Sequence, residues 1–525
     1  MPLNHATYKR KALMIAVAIM LIVGVVQAQN LFGFPYYQDS EGTAVSNAWA
    51  VVSEGRLSPY TYAYEEPPLG AFVVGLWATL SGGLSAFGFS INSGRALMLV
   101  LHVLSVGLVF GIARKVSKSD LVAIISALVF AFSPLAATLQ RRVLVDNISI
   151  VWLLAAFYLV LGDERHLKHY FASALLFGLA VLTKGSVIWF IPAFLYIIAL
   201  KADRLHKRFA SGHWLALAIF MISLYPLYAQ MKQELFPQGW LLGGDFPHVS
   251  LVERLADRGP NSDGQLVVGS GLRESLHEWV DLGTATSDPV IVYAGWIAVV
   301  FIAILAIDNR ALRPILAFII AGCLKLMFGG PVFVSDAILL LPMLAVCIGV
   351  IIGTMAKAVA TIAGGSVVRY GLTVATMAVF LYPFGTFYGN RIAMYTVDQV
   401  EGQVEAVNWV RQNLPEDAVI VTDNYAFVDL REIFSNAHHY WKVDTDPALK
   451  YNILDDDVCN IDYLVVTPQV QDDIELYGLD LMRRAIENSE AIMRFPNNGW
   501  PVEIRQANKR DCIEVAFANS GDESN

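Results

Sequence analysis

Charge is what this sequence holds least of. Only 16% of its 525 residues are Asp, Glu, Lys or Arg, and 56% are hydrophobic, whereas soluble globular chains carry about a quarter charged residues. With a mean hydropathy of +0.51, a single water-soluble globule is excluded and the chain falls in the membrane class. Cysteine is sparse too. Cys323 and Cys347 sit in apolar runs, and Cys459 and Cys512 in the polar C-terminal region, too few for a disulfide scaffold. The latter pair bridges if its region is exported, and otherwise remains two buried thiols. No glycine-rich loop of the usual phosphate-cradling kinds occurs, so a directly bound nucleotide sugar is not expected. Internal repeats and low-complexity tracts are absent as well.

The charges that are present fall unevenly. Residues 390–525 hold 25 acidic and 11 basic residues, the composition of a soluble domain. Most remaining Lys and Arg lie in short clusters between apolar runs, so nucleic acid is not an expected partner. Runs long enough, or nearly so, to cross about 30 Å of hydrocarbon occupy 12–29, 95–112, 120–137, 146–161, 169–183, 185–200, 213–230, 290–307, 314–329, 336–356 and 369–388. A further stretch, 68–89, follows Pro67-Pro68 and is broken by Gly75, Gly82, Gly83 and Gly88. The first run ends in Gln27-Ala28-Gln29, loosely a signal-processing site, but its length favours a retained span.

Positive charge decides the topology, because cytoplasmic loops collect Lys and Arg. The clusters are Lys9-Arg10-Lys11, Arg114-Lys115 with Lys118, Lys201 with Arg204, Lys207 and Arg208, and, more weakly, Arg310 with Arg313 and Lys357 with Arg369. Eleven spans and an internal N-terminus place all of them inside. Twelve would put all but the first outside. The stretch 68–89 is therefore expected as re-entrant or interfacial helix on the outer face, where irregular backbone is tolerated if covered or lining a cavity. The predicted fold is a polytopic all-α membrane domain of about eleven helices (1–389, with an outer loop over 30–94) followed by a C-terminal extracytoplasmic α/β domain (390–525). In that domain Glu405 to Leu414 is predicted as an amphipathic helix, with strands at 418–422 and 461–467.

The outer side gathers the chemistry-bearing residues. The first loop carries Asp39 and Glu41 at one end and Glu65 and Glu66 at the other. Beyond the third run come Arg141, Arg142 and Asp146; two arginines at an outer boundary need compensation, either from Asp146 or from an anionic ligand such as a phosphodiester. Lys184 and Lys325 interrupt apolar sequence, where ionisable side chains face a cavity or a partner unless they snorkel. Carboxylates beside cations suit sugar transfer from a lipid phosphate. A carboxylate takes the proton of the acceptor hydroxyl, and cations stabilise the departing phosphate. The stretch His438-His439-Tyr440-Trp441 is open to three readings: carbohydrate contact, a metal site, or packing alone.

At these residues the chain resembles the membrane glycosyltransferases of the GT-C fold, family 39, which includes protein O-mannosyltransferases and the lipid A aminoarabinose transferase. The resemblance rests on Asp39 to Gly42, on Tyr64-Glu65-Glu66-Pro67-Pro68-Leu69-Gly70, on the Arg-rich run ending in Asp146, and on Gly178-Leu179-Ala180 leading to Thr183-Lys184-Gly185. It implies Asp39 as the base with Glu41 as helper, Glu65 or Glu66 near acceptor or metal, and Asp146 as a second acidic site. Lys184 and the arginines would hold the carrier phosphate. Relatives usually follow the Asp directly with Glu, whereas Ser40 intervenes here, which leaves either acid as the base. Relatives often carry Lys or His where Glu66 stands, which leaves the acceptor open. The implied activity is an inverting transfer of a monosaccharide from a polyprenyl-phosphate donor to a lipid, protein or glycan acceptor, at the outer face of a prokaryotic plasma membrane. A divalent metal is a possible cofactor. The competing class is a transporter or flippase, which would show inverted repeats with paired broken helices.

Overall fold

The computed structural model describes residues 5–162, 167–203, 206–240, 242–246, 248–257, 271–281, 286–361, 366–496 and 500–509. The chain forms two compact units. One comprises residues up to 29, 63–70 and 98–396; the other comprises 30–62, 71–97 and the chain from 397. Residues 30–62 and 71–97 therefore cluster with the C-terminal region, whereas 63–70, with Glu65 and Glu66, cluster with the apolar helices.

In the first unit every one of the eleven apolar runs is helical. Among the described residues, seven helices have the length and composition of a membrane span: Arg10–Ala28, Ser90–Ser117 (which starts in the other unit), Lys207–Met231, Pro289–Asp308, Arg310–Phe328, Val334–Thr361 and Gly371–Gly389. An eighth is the pair Asp120–Phe132 and Pro134–Arg141, bent by 62°. The bend falls at Ser133-Pro134 because proline lacks the N–H of a continuing helix and pushes its predecessor out of helical geometry. Ser133 then caps the new segment, its hydroxyl accepting from the Ala136 amide at 3.3 Å. Val145–Val160, Leu167–Thr183 and Gly185–Lys201 are apolar but shorter. The first two, of 16 and 17 residues, rise about 24–26 Å, just under the hydrocarbon thickness. The stretch after Pro67-Pro68 is a 13-residue helix, Leu69–Ser81, ended by Gly82 and Gly83 at φ 101° and 112°.

This unit is held by one large apolar core. Phe157, Phe177, Phe190, Phe194, Trp214 and Phe318 are fully buried in it, with ring centroids 4.7 Å apart for Phe190–Phe318 and 5.0 Å for Phe157–Phe318 and Phe177–Phe194. Helix Ala337–Thr361 lies so close to Asp120–Phe132 that a Cβ on Gly349 would stand 2.1 Å from the Ser126 hydroxyl oxygen. Small residues at such crossings let apolar helices approach where lipid gives no hydrophobic drive to do so.

The second unit is α/β. Its sheet has the order β2-β1-β3-β5-β4, with β1 (Ile420–Thr422), β2 (Ala437–His439), β3 (Tyr463–Val466), β4 (Ser489–Phe495) and β5 (Val502–Ala507). β1 pairs in parallel with both β2 and β3, while β5 runs antiparallel to β3 and β4. The two predicted strands are β1 and β3, and the predicted helix is Glu401–Asn413. β1 and β2 are buried at every position, as expected of short strands covered on both faces. Val421, Leu464 and Val466 join Val443, Val470 and Leu481 in the core. Cys459 is in a disulfide, Cys323 and Cys347 are free thiols, and Cys512 lies outside the described residues.

The helix Asp39–Trp49 packs on the helix Asn424–Arg431 through Gly42. A Cβ there would meet the Asn424 carbonyl carbon and oxygen at 2.2 Å and the Tyr425 nitrogen at 2.5 Å. Only glycine permits that approach, and it brings Asp39 to the edge of the sheet.

Candidate active site

In the second unit the parallel strands end within one residue of each other, and polar residues stand at or just beyond their ends. Thr422 pairs with His439 and with Val465 across β1, β2 and β3; Asp423 follows β1 and Thr467 follows β3 one residue after its end. In open α/β sheets ligands bind beyond these carboxyl ends. Asp39 opens its helix, where backbone N–H groups and the helix dipole favour a carboxylate. Its Oδ1 lies 2.6 Å from His439 Nε2 and accepts the Asn424 amide at 3.4 Å. Among the described residues, Oδ2 meets only the Thr43 hydroxyl, at 3.5 Å. The imidazole is almost wholly buried, whereas the Asp39 side chain keeps 19% of its surface exposed. One oxygen is thus fixed and the other open, the arrangement a general base requires.

Asp423 lies behind this pair, with no exposed surface. It accepts from the Thr467 hydroxyl at 2.6 Å and from the Tyr425 amide at 3.2 Å. Burial, and then the charge of Asp39, push its carboxyl up to about 7. Asp473 accepts from the Tyr440 hydroxyl, and burial raises it as well. Asp39 is therefore partly exposed beside a fully buried carboxyl, Asp423, and a half-buried one, Asp473, both of which hold their protons more tightly than free carboxyls.

Glu41, expected as a helper to Asp39, has a different environment. It faces Arg95 through two bonds, Arg95 Nε to Oε2 at 3.0 Å and Nη2 to Oε1 at 2.7 Å, and both side chains are fully buried. The guanidinium also lies 4.6 Å from the Tyr37 ring centre. A carboxylate with both oxygens on one guanidinium and no exposed surface is not placed to receive a substrate proton.

In the first unit the expected isolated cations are paired. Lys184 binds Asp146 and lies 3.3 Å from Asp336, and Lys325 binds Asp336 from the other side. All four side chains are buried, and Glu66 Oε2 accepts the Gly185 amide at 3.4 Å. Asp146 compensates Lys184 rather than the arginines. Arg141 donates to the carbonyls of Met394, Gln27 and Gln29 at 3.2, 3.2 and 3.0 Å, so it caps the end of the first helix. Buried Arg142 acts electrostatically on Glu278, and its carbonyl accepts from the Asn147 side chain at 2.8 Å. Glu65, half exposed, pairs with Arg254 at 3.6 Å.

Sequence reasoning missed Asp336, the one acid opening an otherwise apolar run, and did not connect Asp423 to Asp39. His439 stood in a noted stretch without a role. For the divalent metal, no group of three or more His, Cys, Asp or Glu among the described residues is arranged to hold an ion. The donors nearest Asp39 do not fit one: Asp39 faces His439, while Asp423 and Asp473 hold hydroxyl donors.

Two substitutions separate these environments. Glu41→Gln leaves the Arg95 guanidinium buried without its counter-charge and should cost about 3–5 kcal/mol, seen as a lowered thermal midpoint at every pH. Asp423 binds its proton more tightly folded than unfolded, so its contribution to stability falls as pH rises from about 4 to about 7. Asp423→Asn should flatten that slope, with the thermal midpoint less sensitive to pH than in wild type. An unchanged slope would count against the shift.

Comparison with known proteins adds family and fold. Residues 65–228 match the family described as dolichyl-phosphate-mannose-protein mannosyltransferase. The chain is similar in structure to the oligosaccharyltransferase of Archaeoglobus fulgidus in its apo form (TM-score 0.58, 12% identity, covering 90% of this chain and 71% of that one). It is likewise similar to ArnT from Cupriavidus metallidurans bound to undecaprenyl phosphate (TM-score 0.57, 12% identity, covering 95% and 98%). AglB of Archaeoglobus fulgidus, in complex with an inhibitory peptide and a dolichol-phosphate, gives 0.55 at 13% identity, covering 94% and 74%. No protein of curated function matches the sequence. At these identities the structures carry the fold alone, the GT-C fold, and the likeness to a mannosyltransferase family lies in residues 65–228, about a third of the chain.

Proposed function

We propose that the protein moves one monosaccharide from a polyprenyl-phosphate carrier to an acceptor hydroxyl, with inversion, at the outer face of a prokaryotic plasma membrane. The observation that carries the proposal is Asp39: a carboxylate with one oxygen fixed by His439 and the other open. The acceptor O–H gives its proton to Oδ2 while its oxygen attacks the anomeric carbon. The bond from that carbon to the phosphate oxygen breaks, and its electron pair leaves on the carrier phosphate. Attack opposite the leaving group inverts the anomeric centre, as in inverting sugar hydrolysis. His439 is a positioning residue that holds the carboxylate in one orientation. In the first unit, Lys184 is the cation assigned to the phosphate, held by Asp146 and Asp336. Lys325 shares Asp336 and supports Lys184. Glu65 and Glu66 are assigned to the acceptor and Arg142 to the carrier. Arg141, with three carbonyl contacts, is assigned a structural role instead. The C-terminal region is extracytoplasmic in this reading, following the distribution of Lys and Arg. ArnT, whose whole length this chain nearly covers, was solved with undecaprenyl phosphate, which supports a donor of that class.

Purified protein supplied with short-chain polyprenyl-phosphate sugars should release polyprenyl phosphate, and Asp39→Asn should slow release by about 10²–10⁴-fold without lowering the thermal midpoint. Equal release by the variant would remove Asp39 from the reaction. No release from any donor in the panel would remove the reaction itself. Orientation is tested by single cysteines. Lys118→Cys should react with impermeant reagent only from the cytoplasmic side and Asn452→Cys only from the outside; the opposite pattern would invert the topology.

A further inference from the structure

A second polar site lies within the α/β unit, away from the Asp39 carboxylate. Successive side chains of a strand point to opposite faces, so in β2 His438 faces away from the side on which His439 meets Asp39. It lines a cavity of about 320 Å³ together with Tyr60, Phe427, Arg431, Asp446 and Leu449, at the small end of ordinary ligand sites. His438 is 94% buried by its 6% relative exposure, yet among the described residues its Nε2 has no hydrogen-bond partner, and neither does the buried Arg431 Nη1. Two buried nitrogens without partners in one cavity wall call for an explanation, since native structures leave few such groups.

The carboxylates on the same wall do not provide it. Asp446 accepts backbone amides from Ala448, Leu449 and Thr61 at 2.9, 3.3 and 2.8 Å, and Glu54 is bound by Arg56. Arg431 and His438 thus keep unused donor capacity beside the Tyr60 and Phe427 rings, whose centroids are 5.8 Å apart. A guanidinium with a free edge matches a planar or tetrahedral oxyanion, while aromatic walls suit the apolar face of a sugar ring. Burial and the charge of Arg431 hold His438 down to about 4; with Arg56, which also lines the cavity, bound to Glu54, the cation left for a ligand is Arg431, beside a neutral imidazole. Tyr60 links the cavity to the Asp39 side, because its hydroxyl accepts the His439 amide at 2.8 Å.

We propose that this cavity is an acceptor subsite that binds a sugar unit bearing one acidic substituent, a phosphate or a carboxylate, through Arg431 and His438. It rests on Asp39 being the base, since it is there that the bound acceptor presents its hydroxyl. Binding to such a remote group raises the rate when its energy serves to orient the reacting hydroxyl.

The test is direct binding to the full-length protein in detergent, by titration calorimetry, with glucuronate, glucose 6-phosphate, glucose and inorganic phosphate as probes. An anionic sugar should bind about tenfold or more tightly than glucose, the scale of a hydrogen bond to a charged group. Arg431→Gln and His438→Ala should each weaken it by a similar factor, Arg431→Lys should restore part of the loss, and Asp39→Asn should leave binding unchanged. Which of the two anionic sugars binds identifies the substituent. Glucose binding as tightly as both, inorganic phosphate binding as tightly as either sugar, or full binding by Arg431→Gln and His438→Ala, would overturn the subsite. Binding of an anionic sugar by a protein that releases no carrier phosphate would keep the subsite and overturn the transfer reaction. Transfer without such binding would do the reverse.

Discussion

A charge taken out of water must have a partner, and in a chain this apolar that constraint decides where nearly every functional group stands. Desolvating a carboxylate or an ammonium costs several kcal/mol, so a buried ion persists only against an opposite charge or a set of oriented dipoles. Within the helical unit, Lys184 and Lys325 persist because Asp146 and Asp336 are beside them. Arg141 persists because three carbonyls at helix ends receive its N–H groups. Within the α/β unit, Glu41 and Arg95 neutralise one another completely. Asp39, proposed as the base, keeps 19% of its side-chain surface exposed beside His439.

The α/β unit builds this site by two devices of ordinary backbone geometry. Parallel strands ending in register bring Asp423, His439 and Thr467 to one edge. A helix lacking a side chain at one position comes close enough to that edge to place its first residue there. Neither device needs unusual chemistry. Burial keeps Asp423 and Asp473 protonated more readily than free carboxyls.

What the sequence disclosed follows from what is local. Each apolar run is a helix because twenty or so consecutive apolar residues satisfy the backbone internally, and β1 and β3 were visible as short buried runs. The helices Val145–Val160 and Leu167–Thr183 agree with the runs 146–161 and 169–183 to within two residues at each end, because the apolar pattern itself is that short. Asp39 and Lys184 stood out because each is a charge where charge is rare. Glu41 looked equivalent to Asp39 for the same reason, and only the fold, by bringing Arg95 against it from 54 residues away, separates the two. Asp336 and His439 were illegible in the same sense: each acquires meaning from a partner distant in the chain, and a single sequence does not record distance in space.

The contact through Gly42 has a consequence for how this protein tolerates change. At Gly42 the helix that carries Asp39 rests on the main chain of Asn424 and Tyr425. The Asn424 side chain adds a bond to the Thr43 hydroxyl at 2.8 Å, and the Tyr425 ring is buried against Tyr37. Position 42 is thus held by size and positions 424 and 425 by contact, so the spacing of the site is written on both sides of the interface.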